Sequence, residues 1–171
     1  MTLSGTVLAV SAFAELVKTT TLGGTTRAPQ SLARSMSLAD GTGAGKADRV
    51  WSDRRTLAAS GSEDLDLADV LLDAFGGAIS FARVKGIVIA AAAGNTNNVV
   101  VGNASANAWA PLLGATGTVT LRPGAFLAVG TGAADATGYA VTASTGDLLK
   151  IANSGAGSTV TYDIHVIGAS A

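Results

Sequence analysis

The clearest pattern of apolar and polar positions lies near the end of the chain, in STVTYDIHVIG. Val160, Tyr162, Ile164 and Val166 alternate there with Thr161, Asp163 and His165. A period of two gives a strand one buried and one solvated face. Similar short segments, TVTLRPG, AFLAVG, YAVTA and DLLKIANSG, precede it and are separated by Gly, Asn, Ser or Pro. This spacing predicts an all-β fold, and we expect an antiparallel β-sandwich, jelly-roll-like in type.

Two segments in the middle of the chain extend this prediction. RVWSDRRTLAAS, residues 49–60, is expected to be a strand, and because neither of its faces is cleanly apolar we expect it at a sheet edge or a subunit boundary. In EDLDL, Leu65 and Leu67 are predicted to point inward and Asp64 and Asp66 outward.

The next segments predict one helix and one irregular strand. ADVLLDAFGG, residues 68–77, has Val70, Leu71 and Phe75 at helical spacing before two glycines, which predicts one short helix. In AISFARVKGIVI the apolar positions change parity. A bulge between Phe81 and Val84 would reconcile them and turn Arg83 or Lys85 outward.

The N-terminal residues lack a sustained period and are rich in turn formers, as in TTTLGGTTRAPQS. We predict that residues 1–44 form an extended arm or loosely paired strands, with a disordered tail as the alternative. In this interpretation DGTGAG, residues 40–45, is a flexible joint, residues 45–171 are the sandwich domain, and the sandwich folds without residues 1–39.

Composition narrows the classes of partner. Only 13% of the residues are charged and the formal net charge is −1, so nucleic acid is not expected as a partner. After Gly86 only five residues carry charge, which predicts a subunit contact and a homo-oligomer. GIVIAAAAG is too short to span a bilayer, and the start of the chain lacks the basic region of a signal peptide. We therefore expect neither a membrane partner nor export by the general route.

The motifs that could carry chemistry are weak. DGTGAGK has Asp40 where a phosphate-binding loop needs glycine and Ala47 where it needs Ser or Thr, so we interpret it as a connector between strands. Glu63, Asp64, Asp66, Asp69 and Asp73 lack the spacing of a calcium loop and predict a solvated acidic rim. Paired carboxylates for sugar hydrolysis remain an alternative there.

The single histidine and the two tryptophans are the remaining candidates. Asp163 lies two residues from His165 on one strand face and could orient its ring, but no nucleophile motif is present. Trp51 and Trp109 are expected to fill the core, with a sugar platform at Trp109 as the alternative. We predict no catalytic, cofactor-binding or metal-binding residue, and no enzyme.

The chain from about Asp40 onward resembles small β-rich structural proteins of tailed bacteriophages and prophages. The segments that carry the resemblance are DGTGAGKADRVWSDRRTLAAS, EDLDLADVLLDAFGGAISFARVKGIVI, NTNNVVVGNASANAW, TVTLRPGAFLAV and GYAVTASTGDLLKIANSGAGSTVTYDIHVIGAS. The resemblance implies a virion protein assembled in the host cytoplasm, and no site residue transfers with it. We expect a capsid decoration or cement protein that contacts itself and other virion proteins, in particular the major capsid protein. A tail or fibre-base component and a carbohydrate-binding module are the alternatives.

Overall fold

The fold consists of strands, turns and loops in the computed structural model, which describes residues 2–171. No helix occurs in this range. The described residues therefore contain no helix with the length and apolar character needed to cross a membrane. The predicted all-β class is confirmed. The strands are β1 Thr6–Thr19, β2 Thr25–Asp40, β3 Lys46–Ala47, β4 Arg49–Leu57, β5 Ser62–Asp66, β6 Leu71–Leu72, β7 Ala78–Ile79, β8 Arg83–Ala91, β9 Val99–Gly102, β10 Thr118–Leu121, β11 Phe126–Gly130, β12 Tyr139–Ala140, β13 Leu148–Asn153 and β14 Val160–Ala169.

Two antiparallel sheets form the body of the molecule. The first sheet has the order β10-β9-β13-β5, and the second has the order β11-β8-β14-β4, with β12 paired to β8. Apolar side chains from both sheets meet in one cluster, in which Ile151 of the first sheet and Val166 and Tyr162 of the second are fully buried. This arrangement is compatible with the predicted sandwich, in which each of two sheets buries one face against the other.

Several strand predictions are confirmed. The segment RVWSDRRTL forms β4 and lies at an edge of the second sheet, as its mixed faces indicated. Leu65 and Leu67 are buried while Asp64 is exposed. The alternating segment at the end of the chain forms β14, which pairs with both β4 and β8.

The predicted short helix over residues 68–77 is wrong, because this segment forms a hairpin of β6 and β7. Asp73 competes with helix formation through its side chain. Its Oδ1 accepts hydrogen bonds from the backbone N–H groups of Phe75 and Gly77, which fixes a turn. Gly76 completes the turn with a φ of 81°, and Leu71 and Leu72 then alternate between buried and exposed as strand residues do.

The predicted bulge lies further along the chain than expected. The register between β14 and β8 shifts so that Ile167 pairs with Gly86 and Gly168 pairs with Val84, which leaves Lys85 without a partner in β14. Lys85 is buried rather than turned outward, and its Nζ donates to the carbonyl oxygen of Asp135 at 2.7 Å. Desolvation lowers the pKa of Lys85, which the nearby Asp135 carboxylate partly offsets.

Most of the N-terminal region forms one long hairpin, which we call the arm (residues 6–40). β1 and β2 pair without interruption from Thr6 opposite Leu38 to Thr19 opposite Thr25. The turn at its tip is closed by hydrogen bonds between Thr20 and Gly24. Between the arm and the body, residues 41–45 form a compact turn with backbone hydrogen bonds to Ala39 and Ala47, so DGTGAG connects strands as predicted. Its flexibility, and the division of domains at residue 44, stay predictions.

The base of the arm, residues 6–8 and 36–40, which we call the root, is packed against the body. This packing changes the expectation that the sandwich is unaffected by loss of residues 1–39. Met36 and Leu38 are buried together with Ala47 and Ile167, and Leu3, Leu8 and Val50 lie against them. This small cluster covers the outer face of the second sheet, on the side away from the main core. Loss of residues 1–39 would therefore uncover apolar surface on the body.

Two truncations should distinguish the contribution of the root to stability from that of the rest of the arm. Replacing residues 9–35 by an Asn-Gly turn, which joins the opposed residues Leu8 and Met36, should leave the melting temperature nearly unchanged. Removing residues 1–39 should lower the free energy of unfolding by about 2–5 kcal/mol, because Met36 and Leu38 are lost. Thermal unfolding measures the melting temperature, and urea unfolding measures the free energy of unfolding of both proteins. Equal stability of the two truncated proteins would contradict the packing of the root.

Candidate functional site: the projecting arm

The distal arm (residues 9–35) is the most unusual surface of the molecule. Eleven large apolar side chains are exposed in residues 2–171, and seven of them belong to the arm. These seven are Val7, Val10, Phe13, Leu16, Val17, Leu22 and Leu32. Phe13 is 70% exposed and Leu22, at the tip, is 100% exposed. Such a concentration on one element is typical of an interaction surface.

Both faces of the arm carry apolar side chains. The pairing puts Leu8, Val10 and Leu16 on the face that is buried at the root, and Phe13 and Val17 on the opposite face. A two-stranded ribbon is marginally stable alone in water, and its two outer edges have unpaired backbone groups. Exposed apolar side chains on both faces and unpaired backbone edges are properties of an element that another molecule covers.

Glycines on the body fix the direction of the arm. A Cβ atom on Gly86 would lie 3.1 Å from Met36 Cε and 3.2 Å from Leu8 Cδ2, and one on Gly130 would lie 3.0 Å from Leu8 Cδ2. Leu8 and Met36 therefore sit directly on the backbones of β8 and β11. The root begins over β4 and β14, where Leu38 contacts the cluster of Val50 and Ile167. The arm crosses the outer face and leaves it at the β11 edge, where Val10 and Arg34 line a small groove with residues 130–132.

A second exposed apolar surface lies at the opposite edge of the same sheet. We call residues 66–79, which include β6 and β7, the acidic hairpin. Its Val70, Leu72 and Phe75 are exposed, Phe75 to 85%. Asp66, Asp69 and Asp73 lie among them in sequence. Beside it is a cleft of about 350 Å³, lined by residues 73–79 of the hairpin, by β4 residues of which Arg49 is one, and by Thr2 and Leu3.

A hydrogen-bonded group ties the two sheets together at the β4–β5 edge. Glu63 accepts from Arg55 Nε at 2.7 Å and from the Tyr162 hydroxyl at 2.7 Å. Desolvation raises the pKa of Tyr162, and the hydrogen bond to Glu63 raises it further. The hydrogen bond to Glu63 likewise raises the pKa of Arg55. Each of these charged groups has a partner, so the arrangement joins the two sheets at this edge and presents no free acid or base.

The structure gives His165 and Asp163 separate surroundings. Both side chains are on the outer face of β14, but both carboxylate oxygens of Asp163 are taken by Arg54, at 2.6 and 2.9 Å. This pairing lowers the pKa of Asp163. Desolvation lowers the pKa of His165, and its ring makes no hydrogen bond to residues 2–171. The Asp163 carboxylate, which from the sequence could have oriented the ring, is therefore engaged by Arg54.

The acidic candidates do not converge on a site for a metal ion. Asp66 Oδ1 accepts from the backbone N–H groups of Ala68 and Asp69, and Asp73 Oδ1 makes the turn described above. Within residues 2–171 no group of three or more His, Cys, Asp or Glu side chains could hold a metal ion. The carboxylates instead cap turns and line the edge, and they give the acidic hairpin its charge.

The two tryptophans fill the core, as predicted. Trp51 and Trp109 are each 4% exposed. Trp109 Nε1 donates to the carbonyl oxygen of Ala140, and its ring meets Tyr139 edge to face with centroids 6.2 Å apart. Its faces are thus unavailable as a platform for a sugar ring. The loop GNTNN, residues 94–98, is rich in asparagine. Its Asn95 forms hydrogen bonds with Thr161, and its Asn97 forms them with Gly155 and Ser158, which holds neighbouring loops together.

Comparisons of this chain with protein-family models, curated proteins and solved structures found no match. The interpretation of the site therefore depends on the geometry described above.

Sequence reasoning predicted an extended arm or loosely paired strands here, but it missed the long regular pairing of β1 with β2 and the residues of the root. A signal was present in SLARSMSL, where Leu32, Arg34, Met36 and Leu38 alternate with smaller residues. A second signal was the pair Gly23-Gly24 between Leu22 and Thr25, since two adjacent glycines are typical of a hairpin turn. The exposed apolar residues of the acidic hairpin were missed because the segment was predicted as a short helix, with Val70 and Phe75 at helical spacing.

The burial of Tyr162 predicts a specific loss of stability at alkaline pH. Its pKa is higher in the folded state than the unfolded value of about 10, so its contribution is complete below pH 10 and is lost as the pH rises above that value. Tyr162→Phe should lower the free energy of unfolding at pH 7 by about 1–2 kcal/mol. It should also make the decline between pH 9 and about 11 shallower. Tyr139→Phe is the control, and an identical pH dependence in all three proteins would contradict the assignment.

Proposed function

We propose that this chain is a non-enzymatic structural protein of a phage particle, a decoration or cement protein that associates with itself and binds the head shell. The observation that carries the proposal is a small sandwich with a rigidly rooted arm whose distal part exposes apolar side chains on both faces. A component of a repeated shell needs a stable body and an element that reaches its neighbour. The arm supplies such an element.

The connectivity of the body supports this class. Apart from the two-residue strand β12, the two sheets contain eight strands. The first of these, β4, pairs with the last, β14, and the second, β5, pairs with the second last, β13. The third, β8, pairs with β11, and the fourth, β9, pairs with β10. This nested pairing, with the chain passing repeatedly from one sheet to the other, has the order of a jelly roll. Jelly rolls are common in viral capsid proteins and in lectins.

The resemblance of the sequence to structural proteins of tailed phages gives the same class. It favours assembly in the host cytoplasm and contacts with other virion proteins, of which the major capsid protein is the expected one. The low charge after Gly86 favours subunit contacts. No nucleic acid or membrane partner is part of the proposal.

Two alternatives differ in where the arm or the loops make contact. A tail or fibre-base component would use the same arm against a different neighbour. A carbohydrate-binding module is favoured by the lectin-like strand order, but the burial of Trp109 removes its expected platform. A glycan array separates this alternative from the structural ones, because only the module would bind immobilised sugars.

The test is to add the purified protein to particles of the encoding phage that lack it, and to image them. We expect density on the head shell for the full chain and markedly weaker binding when an Asn-Gly turn replaces residues 9–35, because the neighbour contact is lost. A Phe126→Ser protein is the matched control, since Phe126 is exposed outside the arm. Density only on the tail would favour the first alternative, and no binding to any part of the particle would contradict the proposal.

A further inference from the structure

The exposed apolar surface of the molecule is concentrated in two complementary segments. Of the eleven large apolar side chains exposed in residues 2–171, seven are in the arm and three are in the acidic hairpin. Phe126 is the remaining one in this range. Two separate apolar surfaces on one chain are what a head-to-tail contact between copies requires.

The charges of the two segments are opposite. The distal arm has three basic residues, Lys18, Arg27 and Arg34, and one acidic residue, Glu15, which pairs with Arg27. The acidic hairpin has Asp66, Asp69 and Asp73 and no basic residue. Attraction between these segments would add to the apolar contact, whereas contact between two arms would bring like charges together.

The arm cannot reach the acidic hairpin of its own chain without leaving its root. The cleft beside the acidic hairpin is lined by β4, at one edge of the second sheet. The arm crosses the sheet away from that edge and leaves it beyond β11, at the other edge. At about 3.4 Å per residue, the distal arm extends roughly 35 Å. Its partner surface must therefore come from another molecule.

We propose that the distal arm of one copy docks on the acidic hairpin of a second copy, with Leu22 and Leu16 against Phe75 and Leu72 at the cleft. The contact is heterologous, since different surfaces meet. Repetition of such a contact gives a ring when the rotation between copies closes and an open filament when it does not. The proposal rests on the self-association in the proposed function and is independent of the virion assignment. It identifies the partner as this chain and the site as residues 66–79.

Sedimentation of purified full-length protein at tens of micromolar tests the contact. The arm variant Leu16→Ser/Leu22→Ser and the hairpin variant Leu72→Ser/Phe75→Ser should each raise the dissociation constant about tenfold or more. Phe126→Ser is the control and should associate as the unchanged chain does. All of these side chains are exposed, so equal melting temperatures under dissociating conditions should show that the variants are folded.

Mixing the two variants gives the most specific result. The intact arm of the hairpin variant can bind the intact hairpin of the arm variant. An equimolar mixture should therefore form a heterodimer at a concentration at which each variant alone is monomeric. Two results would overturn the docking site: normal association of the hairpin variant, or a mixture that stays monomeric while the unchanged chain associates. Neither result would contradict the proposed function. If the unchanged chain is monomeric, self-association is overturned as well. This conclusion holds even if the chain binds neutral or anionic phospholipid vesicles.

Discussion

The packing of Leu8 and Met36 onto the glycine backbones of β8 and β11 is the contact on which the external shape of the molecule depends. At these positions any side chain would meet the arm at 3.0 to 3.2 Å, so the glycines let two strands of the arm lie flat on the sheet. Met36, Leu38, Ala47 and Ile167 then form a second small core outside the sandwich. Because this core fixes the root, the arm has a defined direction, and its apolar residues are held away from the body.

The body supports this arrangement with few charges. The ion pairs among its described residues lie along β4, where Arg49 pairs with Asp48, Arg54 with Asp163, and Arg55 with Asp53 and Glu63. Exposed pairs of this kind contribute little to stability, so the sandwich depends on the apolar cluster between its sheets. The surface of the second half of the chain consists largely of small and polar uncharged residues. Such a surface suits close contact with neighbouring subunits, since few charges need to be desolvated.

The sequence predicted the strands of the body better than it predicted the arm and the acidic hairpin. Strands such as β14 and β5 have one apolar and one polar face, and their period of two is visible in the residues themselves. The acidic hairpin was misassigned because Asp73 makes its turn through side-chain hydrogen bonds, which apolar spacing does not reveal. The arm was predicted only as extended or loosely paired, because both of its faces carry apolar residues and no single period stands out. Its root was hidden for another reason: the partners of Leu8 and Met36 are glycines in distant strands.

The central claim is that the distal arm is covered by another copy of the chain. Hydrogen–deuterium exchange of the backbone amides, followed over a range of protein concentrations, tests it most directly. The account predicts that exchange in residues 9–35 and in residues 66–79 slows together as the concentration rises, while the amides of β8 and β14 are already protected and do not change. Exchange in both segments that is independent of concentration would contradict the account.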